Sequence, residues 1–200
     1  MTTMRVFIAI HVPRTRQADE ARTALESAGA RTVPPNQTHL TLSFIGDIDE
    51  KKLGRIEECV RKTADAFSPF EIALSGLGAF PNERRPSVVW MGADPAGILK
   101  AMAAKLDSLL SAAGIMHDDK PFKAHVTLAR CRDGFIAPEL FEDNRRTLYC
   151  RFECDEILIM KSVLSPKGAE HTVLSRIPLR RRRSKIPNAH GQCFADGHSL

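Results

Sequence analysis

His39-Leu-Thr-Leu42 and His125-Val-Thr-Leu128 repeat one pattern 86 residues apart in a chain of 200. Each copy lies in a run of strand character, Thr38 to Ile45 and Ala124 to Arg130. With 7 His and 11 Thr in the chain, composition alone supplies roughly 0.4 occurrences of a bare H-x-T spacing, so the spacing by itself carries little. Requiring an apolar second position and Leu at the fourth lowers the expectation to roughly 0.015, and two such matches become a chance on the order of one in 10⁴. Residues i and i+2 of a strand share a face, roughly 6.5–7 Å apart. Each copy therefore presents an imidazole beside a hydroxyl, while Leu40, Leu42, Val126 and Leu128 turn to the opposite, core-facing side.

Working outward, Arg5 to Val12 reads as a strand ending at Pro13, and Arg14 to Ala30 as a helix. The strand at Thr38 to Ile45 closes at Gly46-Asp47, and an amphipathic helix follows over Glu50 to Ala66, with Leu53, Ile56, Val60 and Ala64 on one face. Phe70 to Leu77 and Pro86 to Met91 read as a hairpin pair around the turn-rich segment 78–85. A second half opens with a helix over Gly97 to Ala113 and continues with the strand at Ala124 to Arg130. It closes with a weak helix near Pro138 to Asn144 and two strands, Phe152 to Leu164 and His171 to Ile177, joined by Ser165-Pro-Lys-Gly168. Adjacent late strands and the 70–91 hairpin favour antiparallel or mixed sheets over a doubly wound parallel one. The expectation is α+β. A single bilobal domain over 1–179 is expected, with lobes formed roughly by 1–95 and 96–179 and strands free to exchange between them.

With 43% hydrophobic and 26% charged residues the chain is long enough to bury a core without disulfides. The five cysteines form no CxxC pair and read as free thiols; Cys150 and Cys154 share a strand face too far apart to bridge. No apolar run approaches a membrane span and the N-terminus lacks the features of a signal peptide, so a cytoplasmic location is expected. Arg180 to Arg183 and Lys185 against Asp196 give residues 180–200 a net +4, leaving the first 179 at +1 of the whole-chain +5. Bulk charge therefore says little about the folded body. The tail has no hydrophobic period and reads as a flexible extension, either solubilising or binding RNA nonspecifically.

If the two halves are related by an approximate two-fold axis, the two strands face one another across a groove. Two imidazoles with ordinary pKa near 6.5 then divide proton duties at neutral pH, one accepting and one donating. Threonine hydroxyls beside them suit phosphoryl oxygens, and the pattern fits in-line displacement at a phosphodiester with no metal or other cofactor. The alternative is that both His-Thr pairs merely occupy the solvated face of an antiparallel sheet.

The chain resembles the two-histidine phosphoesterase superfamily, in particular its RNA 2′,3′-cyclic phosphodiesterases, also called 2′-5′ RNA ligases. The resemblance runs over most of 4–179. It rests on the two motifs with Arg5-Val-Phe-Ile-Ala-Ile10, Val33-Pro-Pro-Asn-Gln-Thr38 ahead of the first motif, Gly76-Leu-Gly-Ala-Phe-Pro81, Arg85-Pro-Ser-Val-Val-Trp90 and Ser162-Val-Leu-Ser-Pro-Lys-Gly168. It implies two pseudo-symmetric lobes around a cleft, and hydrolysis of a terminal cyclic phosphate on RNA to a 2′-phosphate, with reversible ATP-independent 2′-5′ joining. His39 and His125 match the catalytic pair, with His125 activating water and His39 protonating the departing 3′-oxygen. Thr41 and Thr127 match phosphate-binding threonines, and Arg130 matches a basic residue after the second motif. RNA ends are the implied partner, the simplest assembly is a monomer, and no metal is implied. Ser43 stands where many relatives carry Lys, and His171 where many carry Tyr. Strict alternation puts Arg130 on the face opposite His125 unless the strand bulges or ends there.

Phe7 and Phe44 suit either strand core or a base-stacking platform. Arg84 and Arg85 suit either a solvated turn or contact with RNA phosphates. His190, Cys193 and His198 lie too loosely in the tail to preorganise a metal site. Beside the RNA phosphodiesterase stand two other readings: the same chemistry on a small cyclic nucleotide, ADP-ribose cyclic phosphate or 2′-5′ oligonucleotide, and a nucleotide- or RNA-binding module without turnover.

Overall fold

The structure, a computed structural model, describes residues 3–132, 137–165 and 168–180. The tail beyond Arg180, with the Arg181 to Arg183 run, Lys185, His190, Cys193 and His198, lies outside the described residues, as do Pro166 and Lys167. Nine strands and four α-helices are described. In chain order they are β1 (Thr3–His11), α1 (Arg16–Ser27), β2 (Arg31–Thr32), β3 (His39–Asp49), α2 (Leu53–Ala64), β4 (Phe70–Phe80), β5 (Val88–Asp94), α3 (Ala96–Ala112), β6 (His125–Arg130), α4 (Pro138–Asp143), β7 (Leu148–Cys154), β8 (Glu156–Ser165) and β9 (Gly168–Pro178). The class is α+β. One sheet has the order β3-β1-β8-β9 and the other β2-β6-β5-β4-β7, and every pairing is antiparallel.

Both sheets draw on both halves of the chain. β1 and β3 pair with the late hairpin β8-β9, while β4 and β5 take β6 on one side and β7 on the other. The apolar stretch expected to form one strand over Phe152 to Leu164 is two strands: β7 ends at Cys154 in the second sheet, and β8 starts at Glu156 in the first. Asp155 makes the crossing, and its carbonyl accepts the Leu179 N–H at 2.7 Å. β3 also runs past the expected stop, because Gly46 takes φ +83 and absorbs an irregularity in the pairing rather than ending it.

Helices cover the outer faces. Thr15 caps α1, its hydroxyl accepting from the Ala18 N–H, and the helix packs on β6 and β7 of the second sheet. α2 and α3 pack on each other; α2 lies on β8 and β9 and α3 on β3, covering the first sheet. Their apolar spacing explains this: Ile56, Val60 and Ala64 of α2 and Leu99, Met102, Leu106 and Leu110 of α3 are buried. Ile98, in the first turn of α3, is exposed. The main core joins these helices to Val6, Ile8 and Ile10 of β1 and to Ile72, Leu74, Val126 and Leu128 of the second sheet. A smaller cluster of Phe7, Ala9, Leu158 and Met160 lies on the other face of the first sheet. No described helix is long and apolar enough to cross a membrane.

Gly76 holds φ +66 in β4, where a Cβ would stand 2.8 Å from the Arg145 carbonyl oxygen. Gly76→Ala combines backbone strain with a clash against main chain and should cost about 1–3 kcal/mol, read as a lowered denaturation midpoint in urea.

Candidate active site

The two repeated motifs begin β3 and β6, which belong to different sheets and lie against one another. In β3, Thr41 pairs with Ala9 and Ser43 with Ile8, leaving Leu42 without a partner. In β6, Thr127 pairs with Trp90 and Ala129 with Val89, leaving Leu128 without one. Both motifs thus end in a bulge at the same position. The extra residue sends two successive side chains into the core: Leu42 and Ser43 in one strand, Leu128 and Ala129 in the other.

The bulges decide two further positions. Alternation resumes one residue late, so Arg130 returns to the face of His125 and Thr127, and Phe44 returns to the face of His39 and Thr41. Ser43 meanwhile points to the helix layer, its hydroxyl donating to the Asp107 Oδ1 of α3 at 2.7 Å. The Ser43 side chain is therefore not presented beside Thr41.

Both imidazoles are oriented in the same way. His39 Nδ1 lies 2.8 Å from the carbonyl oxygen of Gln37, and His125 Nδ1 lies 2.7 Å from that of Lys123, in each case two residues back. A carbonyl only accepts, so each Nδ1 carries the proton and donates it, leaving Nε2 as the lone-pair nitrogen of the neutral ring. Aromatic rings fix the remaining freedom. His39 lies 4.8 Å from Phe7 and 5.0 Å, edge-on, from His171; His125 lies 5.0 Å, edge-on, from Phe80 and 6.2 Å from Trp90.

Burial among these rings sets the proton affinities. It pushes the His39 pKa down to about 4; the Gln37 carbonyl opposes this, and the neighbouring charges of His171, His125 and Arg130 add to it. The His125 pKa is also lowered, first by burial and then by the Lys123 ammonium, again against the pull of its carbonyl partner. His171 is lowered by burial and by Arg130. β3 and β6, which open with His39 and His125, lie against one another, so the two motifs meet where the two sheets meet.

Residues that sequence reasoning gave no role hold this arrangement. Gln37 bonds across the sheet to β9: its Oε1 accepts the His171 N–H at 2.6 Å and its Nε2 donates to the His171 carbonyl at 3.4 Å. The buried Arg22 of α1 donates to the Val33 carbonyl at 3.0 Å, the Thr38 hydroxyl at 2.7 Å and Asp19 at 2.7 Å, pinning the segment that leads into His39. The Val33 N–H donates to the Leu128 carbonyl at 2.7 Å, so the approach to the first histidine is bonded to the bulge after the second. Lys123, whose carbonyl holds His125, sits over the Phe80 ring at 5.1 Å. Val33, Gln37, Phe80 and Trp90 lie in the quoted segments 33–38, 76–81 and 85–90, whereas Arg22 and Lys123 had no signal in the sequence.

The two candidate stacking residues separate. Phe7 is buried at 2% exposure and supports His39 from beneath, whereas Phe44 is 39% exposed, stacked on Phe7 at 6.3 Å with the Arg5 guanidinium 5.9 Å above its ring. Arg84 and Arg85 are exposed in the turn after β4. Cys59, Cys131, Cys150 and Cys154 are free thiols. Among the described residues no group of three or more His, Cys, Asp or Glu is gathered as a metal site would require.

Comparison with known proteins accords with this geometry. A family model described as the 2′-5′ RNA ligase superfamily matches residues 11–165. The RNA 2′,3′-cyclic phosphodiesterase of Archaeoglobus fulgidus is 34% identical over 172 residues, 82% of this chain and 94% of its own length. That of Thermus thermophilus is 34% identical over 192 residues, 88% of this chain and 91% of its own. Among solved structures, TT0787 of Thermus thermophilus superposes with a TM-score of 0.67 at 34% identity, over 90% of this chain and 100% of that one. E. coli LigT complexed with 3′-AMP shares the fold, with a TM-score of 0.72 at 22% identity over 90% of this chain and 100% of its own.

A histidine held neutral by burial makes stability depend on pH. The unfolded chain takes up this proton near pH 6.5 and the folded one only near 4, so the contribution of His39 is complete above pH 6.5 and is lost as pH falls toward 4. Denaturant melts should show the native protein losing about 2–3 kcal/mol more than His39→Gln between pH 7 and 4.5. Equal losses would mean that His39 titrates normally.

Proposed function

Because the chain belongs to the 2′-5′ RNA ligase superfamily, we propose that it is a phosphodiesterase that hydrolyses the 2′,3′-cyclic phosphate at an RNA end and leaves a 2′-phosphate. The names of its relatives from Archaeoglobus and Thermus support a cyclic phosphodiesterase. The observation that carries the reading is the matched pair of imidazoles, each with Nδ1–H committed to the main chain and Nε2 left for substrate.

In the proposed reaction the cyclic phosphate lies between the two Nε2 atoms, and the hydroxyls of Thr41 and Thr127 donate to its non-bridging oxygens. His125 takes a proton from water as the water oxygen attacks phosphorus. The P–O3′ bond breaks in line, and protonated His39 gives its proton to the departing 3′-oxygen. His39 is neutral in the free protein near pH 7, so it acquires its proton as the anionic phosphodiester enters and offsets the cost of charging a buried ring. Arg130, brought round by the Leu128 bulge, adds positive charge on the same face. Phe44 offers an exposed ring on which the terminal base stacks. In 2′-5′ joining, an RNA 5′-hydroxyl would take the place of water, and the energy of the cyclic ester would make ATP unnecessary.

The proton duties are met by the two imidazoles, so an oligonucleotide with a 2′,3′-cyclic phosphate end should yield a 2′-phosphate with EDTA present; a 3′-phosphate product would contradict the assigned bond cleavage. His39→Ala and His125→Ala should each lower turnover by roughly 10²–10⁴. Catalysis needs one ring charged and the other neutral. Both pKa values lie below 6.5 in the free protein, so kcat/KM should be bell-shaped with its maximum on the acid side of pH 6.5. A maximum above pH 7.5 would refute the paired role.

A further inference from the structure

The row of residues running across the second sheet from Thr127 leads away from the reacting phosphate into a groove. Thr127 of β6 pairs with Trp90 of β5, and Trp90 pairs with Gly78 of β4. Neighbouring strands are about 4.8 Å apart, so Gly78 lies about 10 Å from Thr127. There a groove of about 620 Å³ is bounded by Gly78, Trp90, Asn82, Glu83 and Arg84. Glycine at 78 is what leaves room for the indole, because a Cβ there would come within 2.3 Å of the ring. Trp90 Nε1 is buried and has no acceptor among the described residues. Asn82 Oδ1 accepts the N–H groups of Arg84 and Arg85 at 3.0 and 3.1 Å, which fixes the turn that carries the exposed Arg84 at the rim. Glu83 is engaged by Arg145 at 3.5 Å.

We propose that this groove is a second nucleoside subsite, which takes the penultimate nucleotide of an RNA strand whose terminal cyclic phosphate lies at His39 and His125. The inference rests on the phosphodiesterase reading and adds a substrate class to it: strands of two or more nucleotides rather than a mononucleoside cyclic phosphate. Each part of the groove meets a part of that ligand. The indole offers an apolar surface for a base irrespective of its identity. Arg84 meets the phosphate that links the two nucleosides. Phe44 lies on the other sheet, so the two bases are held by different sheets with the reacting phosphate at their junction.

Trp90 is the only tryptophan of the chain, so its fluorescence reports on the groove directly. The test compares native protein with Arg84→Glu, an exposed turn substitution. Both are assayed on a mononucleoside 2′,3′-cyclic phosphate and on a dinucleotide with the same end, and both are titrated with the dinucleotide 2′-phosphate. Native kcat/KM should favour the dinucleotide by at least about tenfold, within the range one stacked base supplies. Arg84→Glu should remove most of that preference while changing the mononucleoside rate by less than about twofold. The 2′-phosphate should change Trp90 emission saturably, with weaker binding in the variant. Equal native rates on the two substrates, or a variant that lowers both alike, would overturn the subsite and leave the phosphodiesterase standing. If neither substrate turned over, the phosphodiesterase reading would fail, and the titration alone would decide: saturable emission change weakened by Arg84→Glu supports the subsite, and its absence overturns it.

Discussion

The account depends on a hydrogen bond made twice, from an imidazole Nδ1–H to the main-chain carbonyl two residues earlier. Such a bond fixes the tautomer as well as the ring, and it spends no side chain in doing so. In many histidine sites a carboxylate plays this part and raises the basicity of the ring. Here a neutral carbonyl holds it, and burial is left to push both pKa values down. Both rings are thereby held neutral, and in the proposed reaction the negative charge of the incoming phosphodiester lets one of them hold a proton.

Holding two carbonyls in place requires the surrounding architecture. The Gln37 carbonyl is fixed because its side chain grips the main chain of β9, and because Arg22 and the Val33 to Leu128 bond fix the segment before it. The Lys123 carbonyl is steadied by its own ammonium over Phe80. These supports differ in chemistry although the motifs are repeated, and only His125 has a cation as a near neighbour in sequence. The asymmetry lies outside the repeat itself, where proton donor and acceptor have to be made to differ.

Much of this was legible in the sequence because it follows a period of two. The His-Thr faces, the opposing Leu40, Leu42, Val126 and Leu128, the late hairpin and the α+β class all come from alternation and turn residues. What escaped was whatever interrupts the period. The bulges at Leu42 and Leu128 reverse the face of the residues that directly follow, which is how Arg130, matched by resemblance but opposed by strict alternation, comes to the face of His125. A trace was present: both motifs continue with a small residue, Ser43 or Ala129, able to enter the core beside Leu. The crossing at Asp155 was hidden because apolar residues continue on both sides as the chain leaves one sheet for the other. Gln37 lies in the quoted segment 33–38, but its contact had no signal, since a side chain reaching a main chain 134 residues away follows no local pattern.

The central claim is that both Nε2 atoms address one phosphorus. A crystal structure with a nucleoside 2′-phosphate in the cleft tests it most directly. The account predicts one phosphate group hydrogen-bonded to His39 Nε2, His125 Nε2 and the hydroxyls of Thr41 and Thr127, with both Nδ1 bonds to the main chain intact. A phosphate held by one histidine alone, or a ring turned so that Nδ1 faces the ligand, would contradict it.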